Sequence, residues 1–143
     1  MFILDTDVVS ALLLPAPPDP VIAWLQHQPR GLLYTTAISQ AEIALGIASL
    51  PRGRRWAEMA YRARMLWEEQ FRDRVLEFGT AAAETVSECV SLRLAARLPV
   101  AVPDVWIAAL GRLHNATVVT RNTHDFEHCG VRLQNPWEAA NLP

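Results

Sequence analysis

Three apolar residues, Phe2-Ile3-Leu4, run straight into Asp5-Thr6-Asp7, and the chain turns apolar again at Val8. Short runs rich in apolar and β-branched residues recur at Leu32–Thr35, Val75–Phe78 and Thr117–Thr120, with a shorter one at Val131–Leu133, and each predicts a strand. Helical patterns lie between them. A short helix is expected over Asp7–Leu13, broken by Pro15-Ala-Pro-Pro-Asp19-Pro20, where Asp19 caps a second helix that runs to Gln28. Ser39-Gln-Ala-Glu42 has capping-box spacing and opens a helix reaching Leu50. Arg54–Arg74 has helical composition, Thr80 starts a long helix to Arg97, and Asp104 starts one to His114 after Pro103.

Strands alternating with helices predict an α/β fold: a central, mostly parallel β-sheet flanked by α-helices in an α/β/α sandwich. No repeat, linker or low-complexity tract interrupts the pattern, so residues 1–143 read as one domain.

In a parallel sheet, chemistry gathers at the carboxyl ends of the strands, where chains turn into helix N-termini. Asp5 falls there after the first strand. Glu42 lies in the first turn of the helix after the second, Asp104 opens a helix after the extended segment Leu98–Val102, and Asn122 and Asp125 follow the Thr117–Thr120 strand. Each acid has a plainer explanation. Glu42 completes a capping box with Ser39, Asp104 is an N-cap, Asp7 caps the helix it precedes, and Asp125 is a turn residue. Capping leaves Asp5 unexplained, because a carboxylate beside a buried strand costs several kcal/mol unless it is paired. If the acids converge, their repulsion raises one another's pKa, and a bound cation removes the conflict. Oxygen donors without His or Cys at metal spacing suit a hard ion, Mg²⁺ or Mn²⁺, of the kind that serves phosphoryl chemistry. His124, His128 and Cys129 suggest zinc only weakly, since a fourth ligand is missing.

Composition narrows the alternatives. With 51% hydrophobic and 20% charged residues the chain reads as soluble and globular, and without a leader or a long apolar run it is expected in the cytoplasm, with no membrane partner. The net charge of −2 provides no general attraction for nucleic acid. All 13 basic residues are Arg, which excludes chemistry that needs a lysine. Arg52, Arg54 and Arg55, clustered in LPRGRRW, and Arg121 beside Asn122 are the candidates for RNA contact.

The stretches FILDTDVVS, SQAEIALG, PDVWIAA and VVTRNTHDF, in this order and at these separations, resemble the PIN-domain ribonucleases. The resemblance is nearest to the VapC-type toxins of type II toxin–antitoxin pairs, in their FitB-like branch, and TRNTHDFEHCGVRLQNPW strengthens it. It covers essentially the whole chain. It implies a Mg²⁺- or Mn²⁺-dependent endoribonuclease whose metal-activated water cleaves an RNA phosphodiester, leaving a 5′-phosphate and a 3′-hydroxyl. It also implies a homodimer and a small cognate antitoxin, a ribbon–helix–helix or similar DNA-binding protein. By position, Asp5, Glu42 and Asp104 match the metal-binding triad, with Asp125 beside them in catalysis. Thr6 and Thr120 match hydroxyl residues that support the triad. Many relatives carry Asp where this chain has Asn122, which leaves open whether Asn122 or Asp125 fills the fourth position.

An antitoxin would lay an apolar segment in a groove formed by the helices over Asp7–Gln28 and Arg54–Arg74. Three rivals stand beside this reading. One is a catalytically weak PIN module that binds RNA or protein, and another a haloacid-dehalogenase-like phosphatase with Asp5 as nucleophile and Asp7 as acid. The third is a response-regulator receiver, which the missing lysine disfavours.

Overall fold

The computed structural model of the protein describes residues 1–138; residues 139–143, the end of the expected domain, lie outside the described residues. Five strands form one sheet: Phe2–Leu4 (β1), Leu33–Thr36 (β2), Val75–Leu76 (β3), Thr117–Val119 (β4) and Arg132–Gln134 (β5). Their order is β3-β2-β1-β4-β5 and every pairing is parallel. Phe2 stands in register with Leu33 on one side and Thr117 on the other, so β1 is the central strand and its end is flanked by the ends of β2 and β4. The helices are Thr6–Leu12 (α1), Asp19–Gln26 (α2), Ala37–Ala48 (α3), Arg54–Met65 (α4), Thr80–Ala95 (α5), Val102–Leu113 (α6) and Thr123–Phe126 (α7).

Alternation along the strands sends side chains to opposite faces of the sheet. Ile3 and Val118 enter one core with Ile107, Leu110 and Phe126, beneath α5 and α6. Leu4 and Val119 enter the other with Val8, Val9, Val21 and Trp24, beneath α1 and α2. Helix α3 gives Ile38 to the first core and Ile43 to the second. Ile3, Val8, Ile107 and Val118 are fully buried, and each contributes about 1.5–3 kcal/mol of transfer free energy. Helix α6 lies tight against the sheet because Gly111 has no side chain. A Cβ there would stand 3.0 Å from Val118 Cγ2 and 3.1 Å from Val131 Cγ1.

The sequence patterns locate the strands and all the longer helices, but several helix starts differ. The cap of α1 is Asp5, whose carboxylate accepts from the Thr6 amide at 2.6 Å, and Asp7 lies in the first turn. Pro18, not Asp19, precedes α2. Thr36 caps α3 by accepting from the Ser39 amide at 3.0 Å, so the expected Ser39–Glu42 capping box does not form. Helix α6 begins at Val102, which places Pro103 in its first positions and Asp104 within its first turn. Leu98–Val102 forms no strand. The helix expected over Arg54–Arg74 ends at Met65 and passes into a π-helical turn at Leu66–Gln70. The single turn α7 has no counterpart in the expected pattern, being too short to show a helical period.

Candidate active site

The carboxyl ends of β1, β2 and β4, with the first turn of α6, deliver the candidate residues to one edge of the sheet. Asp5 follows β1 directly. Its amide continues the ladder by donating to Val119 O at 2.9 Å, which carries the side chain inward, and the residue is only 5% exposed. Both carboxylate oxygens have donors: the Thr6 amide on Oδ1 and the fully buried Thr120 hydroxyl on Oδ2, at 2.8 Å. Thr120 follows β4 and also accepts from the Asn122 amide at 3.0 Å.

Thr6, Thr36, Ser39 and Glu42 form a second hydrogen-bonded series. The Thr6 hydroxyl donates to Glu42 Oε2 at 2.5 Å and lies 3.0 Å from Ser39 Oγ, which lies 3.2 Å from Thr36 Oγ1. A hydroxyl has one proton. With that of Thr6 given to Glu42, the chain of donation runs from Thr36 through Ser39 and Thr6 to the carboxylate. Glu42 is thereby tied to α1 across the gap between β1 and β2.

Electrostatics bring the remaining acids to the same place. Burial pushes the Asp5 carboxyl up to about 7 against the opposing hydrogen bonds from Thr120 and Thr6, and the charges of Asp7 and Asp104 add to the rise. Asp104 is pushed up to about 6, first by burial and then by the charges of Asp125, Glu42 and Asp7, with Arg93 opposing. Asp7 is raised by burial, which Arg121 offsets, and by Asp125 and Glu42. Each raised carboxyl therefore feels at least two others.

The structure thus gathers Asp5, Thr6, Glu42, Asp104, Thr120, Asn122 and Asp125, and adds Asp7. Outside the phosphatase reading, that acid was expected only to start a helix. Its Oδ2 accepts from Asn122 Nδ2 at 2.8 Å, so the neutral amide at 122 faces a carboxylate where an Asp would repel it. Thr36 was not singled out, and Ser39 was read only as a cap, although the hydroxyl-rich run Thr35-Thr36-Ala37-Ile38-Ser39 was the available signal. Arg121 acts on Asp7 and lies with its guanidinium 5.5 Å from the Trp137 ring centroid. Arg52, Arg54 and Arg55 lie at the exposed α3–α4 turn. None is among the charges acting on the raised acids: Arg52 rests on Trp56 at 3.9 Å and Arg54 pairs with Glu58 at 3.1 Å.

Chemically, this edge offers hard oxygen donors, an excess of negative charge and three carboxyls, Asp5, Asp7 and Asp104, that hold a proton more tightly than usual. Among the described residues no three His, Cys, Asp or Glu side chains stand as a ready ion cage, so the fit to a metal is one of charge and donor type. Among the described residues no helix is long and apolar enough to cross a membrane.

The PIN-domain family model matches residues 2–131, the span from the first strand to the edge of the last. The chain belongs to the PIN-domain family. Its relatives match it end to end. The VapC ribonuclease Y4jK of Sinorhizobium fredii is 33% identical, over 98% of this chain and 100% of its own. The toxin FitB of Neisseria gonorrhoeae is 34% identical, over 96% of this chain and 99% of its own. Among solved structures, the FitAB complex bound to the IR36 DNA fragment contains a chain with a TM-score of 0.88 and 33% identity, 96% of each chain being covered. The haloacid-dehalogenase and receiver readings fall with this membership. In PIN-domain terms, the four motifs lie at the ends of β1, β2 and β4 and in the first turn of α6.

Proposed function

We propose that this PIN-domain protein is an endoribonuclease toxin of a toxin–antitoxin pair, dependent on Mg²⁺ or Mn²⁺. The observation that carries the reading is the placement of Asp5. A carboxylate held by two donors at a buried strand end, and pushed up to about 7, is poorly accommodated without a cation. Close similarity over the full length to a VapC ribonuclease and to toxin FitB supports the activity.

Asp5, Glu42 and Asp104 would hold the ion, which when bound neutralises the phosphate and makes water a nucleophile at neutral pH. Thr120 and the Thr6 amide orient Asp5, and the Thr6 hydroxyl orients Glu42. Asp125 adds its charge to that of Asp104, while Asn122 holds Asp7 in place. Arg121, exposed and acting on Asp7, supplies positive charge for an RNA phosphate. Arg52, Arg54 and Arg55 would extend that contact along the chain of the substrate.

The partner is a small antitoxin, a ribbon–helix–helix or similar DNA-binding protein, and the toxin acts as a homodimer. A cleft of about 560 Å³ between α1, α2 and the turn after α4, lined by Leu12, Ile22, Leu25, Leu66 and Phe71, fits an apolar antitoxin segment. Expression in a bacterial host tests the reading. Growth should stop with the wild-type chain and resume with Asp5→Asn or with the product of an adjacent antitoxin gene. Growth arrest that persists in a soluble Asp5→Asn protein contradicts it and favours a PIN module that acts by binding.

A further inference from the structure

Arg93 stands in the last turn of α5 and is 2% exposed. A guanidinium at that depth carries a heavy desolvation cost, yet among the described residues no acidic side chain pairs with it. Its acceptors are backbone carbonyls. Nε donates to Pro99 O at 2.7 Å, and Nη1 donates to His124 O at 3.1 Å and Glu127 O at 2.8 Å.

Those carbonyls belong to the two segments that carry acids to the site. Pro99 lies in the irregular link that enters α6 and leads to Asp104, while His124 and Glu127 bracket Asp125 in α7. Neither segment is held by a strand ladder. The link leaves α5 through Arg97 at φ 58°, and α7 is a four-residue turn followed by His128 at φ 61°. A single turn is not stable by itself. The planar fork of Arg spreads its donors over separate nitrogens and binds both segments at once, whereas the three donors of a Lys ammonium share one nitrogen and span them less well.

We infer that Arg93 is a positioning residue of the site: its guanidinium, shared among Pro99, His124 and Glu127, sets where Asp104 and Asp125 stand relative to each other. Arg93 touches neither RNA nor ion; besides the charge it exerts on Asp104, which Arg93→Lys keeps and Arg93→Gln removes, it acts through the backbone of its two neighbours. The inference rests on the nuclease reading above for its consequence, and on the geometry alone for the tether.

Arg93→Gln and Arg93→Lys test it, with three readouts on the full chain. Amide exchange is followed in segments 98–104 and 122–128 and in the β1–α1 segment. Mn²⁺ affinity is measured by calorimetry, and kcat and KM are measured on a single-stranded RNA. In Arg93→Gln, exchange should quicken in both loop segments together, with β1–α1 unchanged. Mn²⁺ binding should weaken roughly 10- to 100-fold, as for lost outer supports of metal ligands, and kcat should fall more than KM rises. Arg93→Lys should lie between Gln and wild type on all three.

Folded variants that only melt earlier, while keeping wild-type loop exchange, Mn²⁺ affinity and kcat, overturn the inference. So does failure of both variants to fold, which would make Arg93 a requirement of the fold rather than of the site. A wild-type protein that neither binds Mn²⁺ nor cleaves RNA sinks the nuclease reading separately. The exchange readout then decides the tether: loosening of both segments together supports it, and loosening of one or neither overturns it.

Discussion

The hydroxyl of Thr120 donates to Oδ2 of Asp5 at 2.8 Å, joining the carboxyl ends of the neighbouring strands β4 and β1 inside the protein. It is one of two donors that keep this buried carboxylate usable. In Thr120→Val the isosteric methyl cannot donate, so the Asp5 carboxyl rises further and binds a cation less readily. We expect a loss of roughly 1–3 kcal/mol of stability and weaker Mn²⁺ binding near neutral pH, partly restored at higher pH. Calorimetry across pH checks this; unchanged affinity at neutral pH contradicts it.

Through the raised carboxyls of Asp5 and Asp104 the metal-free protein loses stability as pH rises. Asp5 in the folded state titrates near 7 and Asp104 near 6, against 3.8 for the ordinary carboxyl. The folded protein therefore binds these protons more tightly than the unfolded chain. Their contribution is most favourable below about pH 4 and is lost as pH rises through 6 to 7. Asp5→Asn, neutral at every pH, should be more stable than wild type above neutrality in EDTA, by roughly 2–4 kcal/mol, the difference fading toward pH 4. Urea unfolding at several pH values measures it, and a variant less stable than wild type above neutrality refutes it.

The hydroxyl series ending at Glu42 gives a sharper separation of activity from stability. Thr6→Val removes the donor to Glu42 and leaves the Thr6 amide, which serves Asp5, in place. RNA cleavage should fall roughly 10- to 100-fold, the range for outer supports of metal ligands. The melting temperature should change little, because Thr6 is only half-buried. Full activity in Thr6→Val contradicts the role given to the series.

Gly111 links packing to the site at longer range. An added Cβ would stand 3.0 Å from Val118 and 3.1 Å from Val131, so those side chains or α6 itself must give by a few tenths of an ångström, and α6 carries Asp104. Gly111→Ala should cost about 1–3 kcal/mol of stability, as overpacking does, and weaken Mn²⁺ binding in the molecules that remain folded. Thermal unfolding and Mn²⁺ titration on one preparation test both; a stabilised variant rules the tight contact out.

β1, β3 and β4 were legible because each is a compact apolar run closed by a polar residue, Asp5, Glu77 and Thr120, and the first of these is the buried acid of the site. Helix starts were read less well. A run such as Thr35-Thr36-Ala37-Ile38-Ser39 offers several capping hydroxyls, and only the end of β2 decides for Thr36. Asp7 was taken for a cap because Asp5, the true cap, was reserved for the site; one residue fills both roles. The contact of Asp7 with Asn122 joins opposite ends of the chain, which no local pattern encodes. Arg93 sits in an ordinary helical stretch, SLRLAARL, whose sequence gives no sign that this Arg rather than Arg97 is buried.

If the acids at the sheet edge make a metal-dependent ribonuclease, the purified protein must cleave a labelled single-stranded RNA. Wild-type protein with Mn²⁺ should yield fragments ending in 3′-hydroxyl and 5′-phosphate, and EDTA or Asp5→Asn should abolish them. Cleavage that persists in EDTA or in purified Asp5→Asn, or no cleavage by the wild type with Mn²⁺ on any single-stranded RNA offered, contradicts the account.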